Sequence, residues 1–254
     1  MVSQIWGRIG AVRPTFFACP NGTVGLFCFL PNPNLRAEIG KNKEVGINLK
    51  YNGIFTAEDS FRGKFNFFRN DIDDYIDLVA SPPELTAFGP FSRNYQYQNI
   101  ANARIEGFEA ETAYDAGLWF AGVGATVQRG KNTQTGIGLV TVQPRKVSTT
   151  GGVRLLDRTL TISAQWAAVG AITDLPVGYV PSSAYDLVNV YVAYQPTRDI
   201  TLNFSVENVL NQYYRPYAIP GNSVDGTTQN DALWTSAGPG IVYKGGLKVH
   251  FGGA

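Results

Sequence analysis

The sequence predicts an all-β protein, an antiparallel up-and-down sheet of the kind that closes into a transmembrane β-barrel, with about nine strands in this chain. Three observations carry the prediction. Apolar and polar residues alternate with period 2 in segment after segment, so each strand has one apolar and one wet face. The connections between segments are alternately short and long, as in a meander whose loops on one side of a bilayer extend outward while the turns on the other stay brief. No window approaches roughly 18 uninterrupted apolar residues, which excludes a spanning helix, whereas a barrel strand needs only about 9 to 11 residues with alternate ones apolar.

Composition agrees. Of 254 residues, 44% are hydrophobic and 13% aromatic; there are 28 glycines, and Met and His occur once each. That balance suits twisted strands and turns better than packed helices. Mean hydropathy near zero fits a wall with one face of each kind, and equally a soluble β-sandwich. The net charge of +1 gives no support to a nucleic-acid surface. Cys19 and Cys28 either pair in an oxidising compartment or are bystanders, since two thiols cannot hold a structural zinc alone.

Residues 1–30 have no sustained period and contain Pro14, Pro20 and Gly22, so they read as an irregular loop segment preceding a barrel portion at 31–254. They also lack the basic start, apolar core and cleavage site of a signal peptide. The prolines of the 31–38 stretch PNPNLRAE withhold backbone donors and stop any strand there. Alternation then becomes regular. Val45, Ile47, Leu49 and Tyr51 oppose Glu44, Gly46, Asn48 and Lys50; Phe61, Phe65 and Phe67 oppose Arg62, Lys64 and Asn66. A third strand is read from about Tyr95 to Asp115, with Arg104 and Glu106 on its polar face. Its phase shifts at Gly107, after which Glu109 and Glu111 point together, and a glycine at such a shift suggests a β-bulge.

Ala116 and Gly117 make a tight turn into the apolar row Trp119, Ala121, Val123, Ala125 and Val127. After a connection at 130–145, Val147 to Leu155 and Leu160 to Trp166 form two more alternating strands about Asp157 and Arg158. A strand at about 185–195 is apolar on both sides, and a turn at 196–199 leads into Leu202, Phe204 and Val206 alternating with Asn203, Ser205 and Glu207. The last strand sets Tyr243, Leu247, Val249 and Phe251 against Lys244, Lys248 and His250. Nine strands leave two free edges, and in lipid each unpaired backbone group costs several kcal/mol, so these strands are expected to belong to a larger barrel.

Four segments resemble, in order, the C-terminal part of the TonB-dependent outer-membrane receptors of the haem and haemoglobin branch. They are PNPNL at 31–35, FRGKFNFFRNDIDDYIDLV at 61–79, NIANARIEGFEAE at 99–111 and NVLNQYY at 208–214. The resemblance implies the last strands of a barrel of about 22 strands in the outer membrane of a Gram-negative bacterium. It implies uptake of haem or iron, with no permanently bound cofactor and haem as the transported ligand. The implied partners are outer-membrane lipid, the TonB energy-coupling complex for the full-length protein, and haem or a haem-carrying protein. It implies no enzymatic activity. The sequence departs from the family in lacking the plug, the coupling box, the earlier strands and the histidine that precedes PNPNL, so this chain alone is expected to be incompetent in transport. Residues 12–15, VRPT, are weighed as a remnant of the family's preceding F-R-A-P box. The chain ends three residues past Phe251, where family members commonly finish on an aromatic residue.

The outer-loop candidates for ligand binding are Pro31, Asn32, Pro33, Asn34 and Leu35, with Tyr213, Tyr214 and Tyr217 as aromatic candidates that either stack on a porphyrin, supply a phenolate, or form an interfacial girdle. No catalytic or metal residue is assigned. His250 is chemically able to bind iron, but a lumen-facing histidine is the simpler reading. Glu106, Glu109 and Glu111 read more simply as lumen lining than as an acid/base or metal cluster. Asp71, Asp73 and Asp74 lack the glycine and terminal glutamate of a calcium loop and read as a solvated strand end. Two alternatives remain: a receptor for a ferric siderophore or another ligand, and a soluble all-β binding domain built as a sandwich.

Overall fold

The computed structural model describes residues 27–82, 84–86, 89–100, 102–216, 219–220 and 237–251. Cys19, Tyr217 and the 12–15 stretch lie outside them. Every regular element among the described residues is a strand. In chain order they are β1 (Phe27–Leu30), β2 (Ile39–Asn52), β3 (Ser60–Asp73), β4 (Ile76–Ala80) and β5 (Glu84–Thr86). Next come β6 (Gly89–Asn99), β7 (Asn102–Asp115), β8 (Trp119–Asn132), β9 (Lys146–Leu155) and β10 (Leu160–Val169). The last five are β11 (Tyr179–Val180), β12 (Tyr185–Thr197), β13 (Ile200–Glu207), β14 (Ile219–Pro220) and β15 (Val242–Val249).

Nine of them form one sheet in the order β2-β3-β7-β8-β9-β10-β12-β13-β15, each antiparallel to its neighbour in sequence. Strand partners share a face, so the register extends the alternation of single strands into rows that cross the sheet. Ile47, Phe65, Ala110, Ala125, Val147 and Ala168 make one such row. The opposite face carries Asn48, Lys64, Glu111, Gly124 and Ser148 in register. The apolar rows are not covered: Val45 is 76% exposed, Phe67 64%, Leu202 44% and Phe204 49%. A sandwich would bury these residues between two sheets; here the wall is one chain thick. An apolar surface of this extent is stable only against another apolar medium.

The short turns lie at one end of the sheet and the long connections at the other. At the 53–59 turn Asp59 is buried and accepts the N–H groups of Ile54 at 2.6 Å, Phe55 at 2.7 Å and Thr56 at 2.9 Å, and the Tyr114 hydroxyl at 2.8 Å. Burial pushes the Asp59 carboxyl up, but these donors outweigh it and hold it at about 2. Its contribution to the turn is therefore present above the ordinary carboxylate range and is lost as pH falls towards 2. The 116–118 turn has Gly117 at φ 81°. Arg154 clamps it, donating to Asp115 at 2.7 and 2.8 Å and to the Gly117 carbonyl at 2.7 Å. Leu156, Asp157 and Arg158 are all left-handed in the next turn.

Five expectations are corrected. The expected bulge at Gly107 is absent, for β7 pairs residue by residue with β3 and β8 from end to end. Arg104 and Glu106 stay in phase with Phe108 on the apolar face, and the change of chemistry marks the end of the apolar band. Gly107 is required for a different reason: a Cβ there would collide with the Val127 carbonyl oxygen and Gln128. The third strand begins at Asn102, because Tyr95 and Tyr97 belong to β6, which is not part of the wall. Phe27–Leu30, read as loop, is a strand. Pro196, read as turn, lies within β12, where the register shifts between Tyr194 and Thr197; an irregularity there accommodates a residue without an N–H.

Gly107→Val is expected to destabilise the sheet by about 1–3 kcal/mol, because backbone must move to admit the side chain. Gly245→Ala, which meets open space, is expected to leave it unchanged. The temperature at which the folded, fast-migrating electrophoretic form converts to the unfolded one reads both.

Candidate functional site

Apart from Asp59 in the 53–59 turn, the buried side chains among the described residues gather at the long-loop end of this one-layer wall. There β1 pairs parallel with β6, β4 and β5 pair antiparallel with it, and β11 pairs with β14. The PNPNL segment continues the path of β1 along β6, and side chains replace the donors its prolines lack. Gln96 donates to the Pro31 carbonyl at 2.9 Å and Asn32 donates to the Tyr97 carbonyl at 2.9 Å. Asn34 N–H returns to the Asn32 side chain at 3.0 Å. Asn99 then exchanges bonds with the Arg36 backbone at 2.8 and 3.0 Å. Pro33 and Asn34 are exposed and Leu35 is half-buried. The motif thus laces a loop to the wall, and its polar side chains serve that lacing.

Tyr95 is fully buried, donates to the Gly178 carbonyl, and meets Tyr179 edge-on with centroids 5.6 Å apart. Tyr179 donates to the Leu78 carbonyl at 2.6 Å. Phe29, Leu78, Val140 and Leu175 pack around this pair. A second cluster, Ile72, Tyr75, Ala103 and Leu139, folds the 133–145 loop over the upper inner face. Between the clusters lies Asp77, 4% exposed, which accepts the Leu78 N–H at 2.9 Å. Burial, only partly offset by that bond, pushes its carboxyl up to about 6. Burial and then the Asp77 charge push the Tyr179 hydroxyl above its ordinary value. The sequence reading of Asp71, Asp73 and Asp74 as a solvated strand end stops short of Asp77 and of this assembly; the short alternations about Leu78 and Tyr95 are its only local signal.

NVLNQYY is a turn with two left-handed asparagines, Asn208 and Asn211. Asn208 is buried, donates to the carbonyls of Gln212 at 2.9 Å and Pro239 at 3.1 Å, and accepts the Gln212 N–H at 2.8 Å. The segment so fixed presents Tyr213, which is exposed, and Tyr214, whose ring lies 4.6 Å from that of Tyr185. Both stand at the long-loop end, as does PNPNL.

The remaining candidates separate. Glu109 and Glu111 lie on the polar face and line a cavity of about 260 Å3 with Lys64, Asn66, Thr126 and Lys146. Glu106 does not line that face, because it sits on the apolar face's charged end and pairs with Arg129 at 2.6 Å. Asp71 and Asp73 end β3 in ion pairs, Asp71 with Arg69 at 3.0 Å and Arg104 at 2.6 Å and Asp73 with Lys41 at 2.7 Å, while Asp74 pairs with Arg36 across the loop. His250 is at the short-turn end, its N–H bonded to the Asp199 carbonyl at 2.9 Å, away from the tyrosines. No group of three His, Cys, Asp or Glu side chains suited to a metal gathers among the described residues.

A one-layer antiparallel meander, apolar on one face, polar on the other and with its long connections at one end, is a segment of β-barrel wall. The chain belongs to the TonB-dependent receptor family, whose model, "TonB dependent receptor-like, beta-barrel", matches residues 9–209. It is 32% identical over 196 residues to the heme/hemopexin utilization protein C of Haemophilus influenzae (strain 86-028NP), covering 74% of this chain and 27% of that protein. It is 27% identical over 205 residues to a hemin receptor of Yersinia enterocolitica, covering 76% of this chain and 29% of the receptor. Among solved structures, the ferric enterobactin receptor of Pseudomonas aeruginosa superposes with a TM-score of 0.60 at 22% identity, over 88% of this chain and 33% of that one. The chain thus spans under a third of the length of these proteins.

Asp77 sets a pH dependence. Its folded pKa, about 6, lies above its ordinary 3.8, so the unfolded loop binds fewer protons between those values and stability falls as pH rises through that window. Asp77→Asn is therefore expected to strengthen the loop assembly at neutral pH by up to about 3 kcal/mol and to change little below the ordinary carboxylate range. Limited proteolysis of the loops across pH checks both halves.

Proposed function

We propose that this chain is the C-terminal part of the wall and outer loops of an outer-membrane receptor that takes up haem or haem-borne iron. The apolar rows face lipid, the polar face lines the lumen, and the long-loop end faces the medium and meets the ligand. The single observation that supports this best is the sorting itself: every apolar row lies on one side of an uninterrupted sheet and every long connection at one end. The names of the relatives direct the reading to haem. The full-length receptor works by transport, without bond chemistry, and is driven through the TonB complex. The hydrated lumen face, with Lys64, Glu109, Glu111 and Lys146, suits passage of a polar cargo. Tyr213 and Tyr214, exposed or stacked at the loop end, are the described residues best placed to meet a porphyrin face, with residues 31–35 supporting the loops around them.

A second reading, uptake of a ferric siderophore, is favoured by one observation: the only histidine, His250, lies at the short-turn end. Haem titrated into the full-length protein in detergent separates the two. The haem reading expects a shifted Soret band, an affinity at least about tenfold lower in Tyr213→Ala/Tyr214→Ala, and no competition from a ferric catecholate. Absence of a Soret shift with binding of the ferric catecholate supports the siderophore reading.

A further inference from the structure

The loop assembly holds one buried charge that nothing within it neutralises. Asp77 is 4% exposed; its Oδ1 accepts the Leu78 N–H at 2.9 Å, and its Oδ2 has no partner among the described residues. No lysine or arginine among those residues pairs with it, and with its carboxyl at about 6 it is largely ionised at neutral pH without a counter-charge. The carboxyl lines a cavity of about 190 Å3, enclosed where β4 meets the 132–139 and 170–178 connections. The other walls are mainly aliphatic: Leu78, Ile100, Leu139 and, towards the mouth, Ile137 and Val177, which are 41% and 69% exposed. Local bonds fix the shape. Asn132 N–H donates to the Ile137 carbonyl at 2.9 Å, and Leu139 N–H to the Gly130 carbonyl at 3.1 Å. Asp174 accepts the Gly138 N–H at 3.1 Å, and position 138 requires glycine because a Cβ there would collide with the Asp174 carbonyl oxygen. The socket is therefore built before anything enters it.

We propose that this cavity receives a primary alkylammonium group, its aliphatic stem against Leu78, Ile100, Ile137 and Leu139 and its nitrogen donating to Asp77 Oδ2. The inference rests on the reading that the long-loop end faces the medium, and it involves neither Tyr213 nor Tyr214. The form of the charge selects the cation. A guanidinium forks onto two oxygens, but Leu78 occupies one and only the other is open. A quaternary ammonium has no N–H to donate and is held by aromatic faces, which the lining lacks. A metal ion would find a single carboxylate and leave the apolar walls unused. A neutral apolar molecule would leave the carboxylate as uncompensated as before. A primary ammonium is a point charge on a flexible stem, and the Asn132 and Thr135 side chains of the same lining offer its other N–H groups oxygen acceptors. Two sources present this group: a lysine side chain of a protein docked against the loops, or a free aliphatic amine.

The test titrates n-butylammonium, and n-butanol as its uncharged counterpart, into the full-length receptor in detergent at neutral pH, with saturation-transfer NMR reading the bound probe. The expected result is that n-butylammonium binds at least about tenfold more tightly than n-butanol and loses at least about tenfold in Asp77→Asn, a near-isosteric change. Glu58→Gln, which removes the same charge at the short-turn end, leaves binding unchanged. No binding of n-butylammonium, equal affinity for the two probes, undiminished binding in Asp77→Asn, or an equal loss in Glu58→Gln overturns the proposal. The comparison of probes needs no variant, so it decides even where Asp77→Asn alters the loops. Once n-butylammonium binds, the peptide acetyl-leucyl-lysyl-leucine amide separates the sources. Binding at least as tight as that of n-butylammonium assigns the socket to a lysine of a docked protein, and weaker or no binding assigns it to a free amine. Wild-type receptor that does not insert into vesicles overturns the barrel reading, whereas normal insertion without binding of n-butylammonium overturns only the proposal.

Discussion

The backbone ladder is the constraint on which the other features depend. A sheet one layer thick has no interior, so its side chains are sorted only by which side of the pleat each occupies, and a single slip of register would exchange the faces of every strand beyond it. From Ile39 to Asn132 the four strands β2, β3, β7 and β8 pair without interruption. That continuity carries the chemistry of one strand across to the next, keeps Phe65 level with Ile47 and Ala110, and aligns Lys64 with Glu111 on the other side. Where the register does shift, in β12 near Pro196, it does so beside a short turn.

The wall was legible because period 2 is local information. Val45 to Tyr51 and Phe61 to Phe67 reveal their faces without knowledge of their partners, and the lengths of the connections reveal that the strands run up and down. Two things were not legible. Arg104 and Glu106 looked like a polar face out of phase with Ala110, because the sequence shows a change of polarity without showing whether the strand has turned or has left the apolar band. The pairing of Glu106 with Arg129 and of Arg104 with Asp71 settles that the strand does not turn. The loop assembly was hidden for a different reason: Tyr95 is buried by Tyr179, more than 80 residues away, and no local pattern announces such a contact.

The family motifs proved informative about position more than about ligand. Asn32, Asn99 and Asn208 spend their side chains on backbone partners that a proline-rich or left-handed chain leaves unsatisfied. Their residue types are accounted for by that work alone. What they accomplish for function is indirect: they anchor the loops at one end of the wall, so that Tyr213 and Tyr214 emerge from a fixed base and Asp77 is enclosed between two small apolar clusters.

The sharpest test of the account is a nitroxide scan of residues 61–73 along β3 of the full-length protein in vesicles, measuring relaxation by oxygen, which concentrates in lipid, and by a water-soluble nickel chelate. Alternation with period 2 is expected, with Phe61, Phe65 and Phe67 oxygen-accessible and Arg62, Lys64 and Asn66 nickel-accessible, and then a crossover at Arg69, beyond which the outer face too is reached by nickel. Labels at Phe65 and Phe67 shielded from both reagents, as between two packed layers, would contradict it.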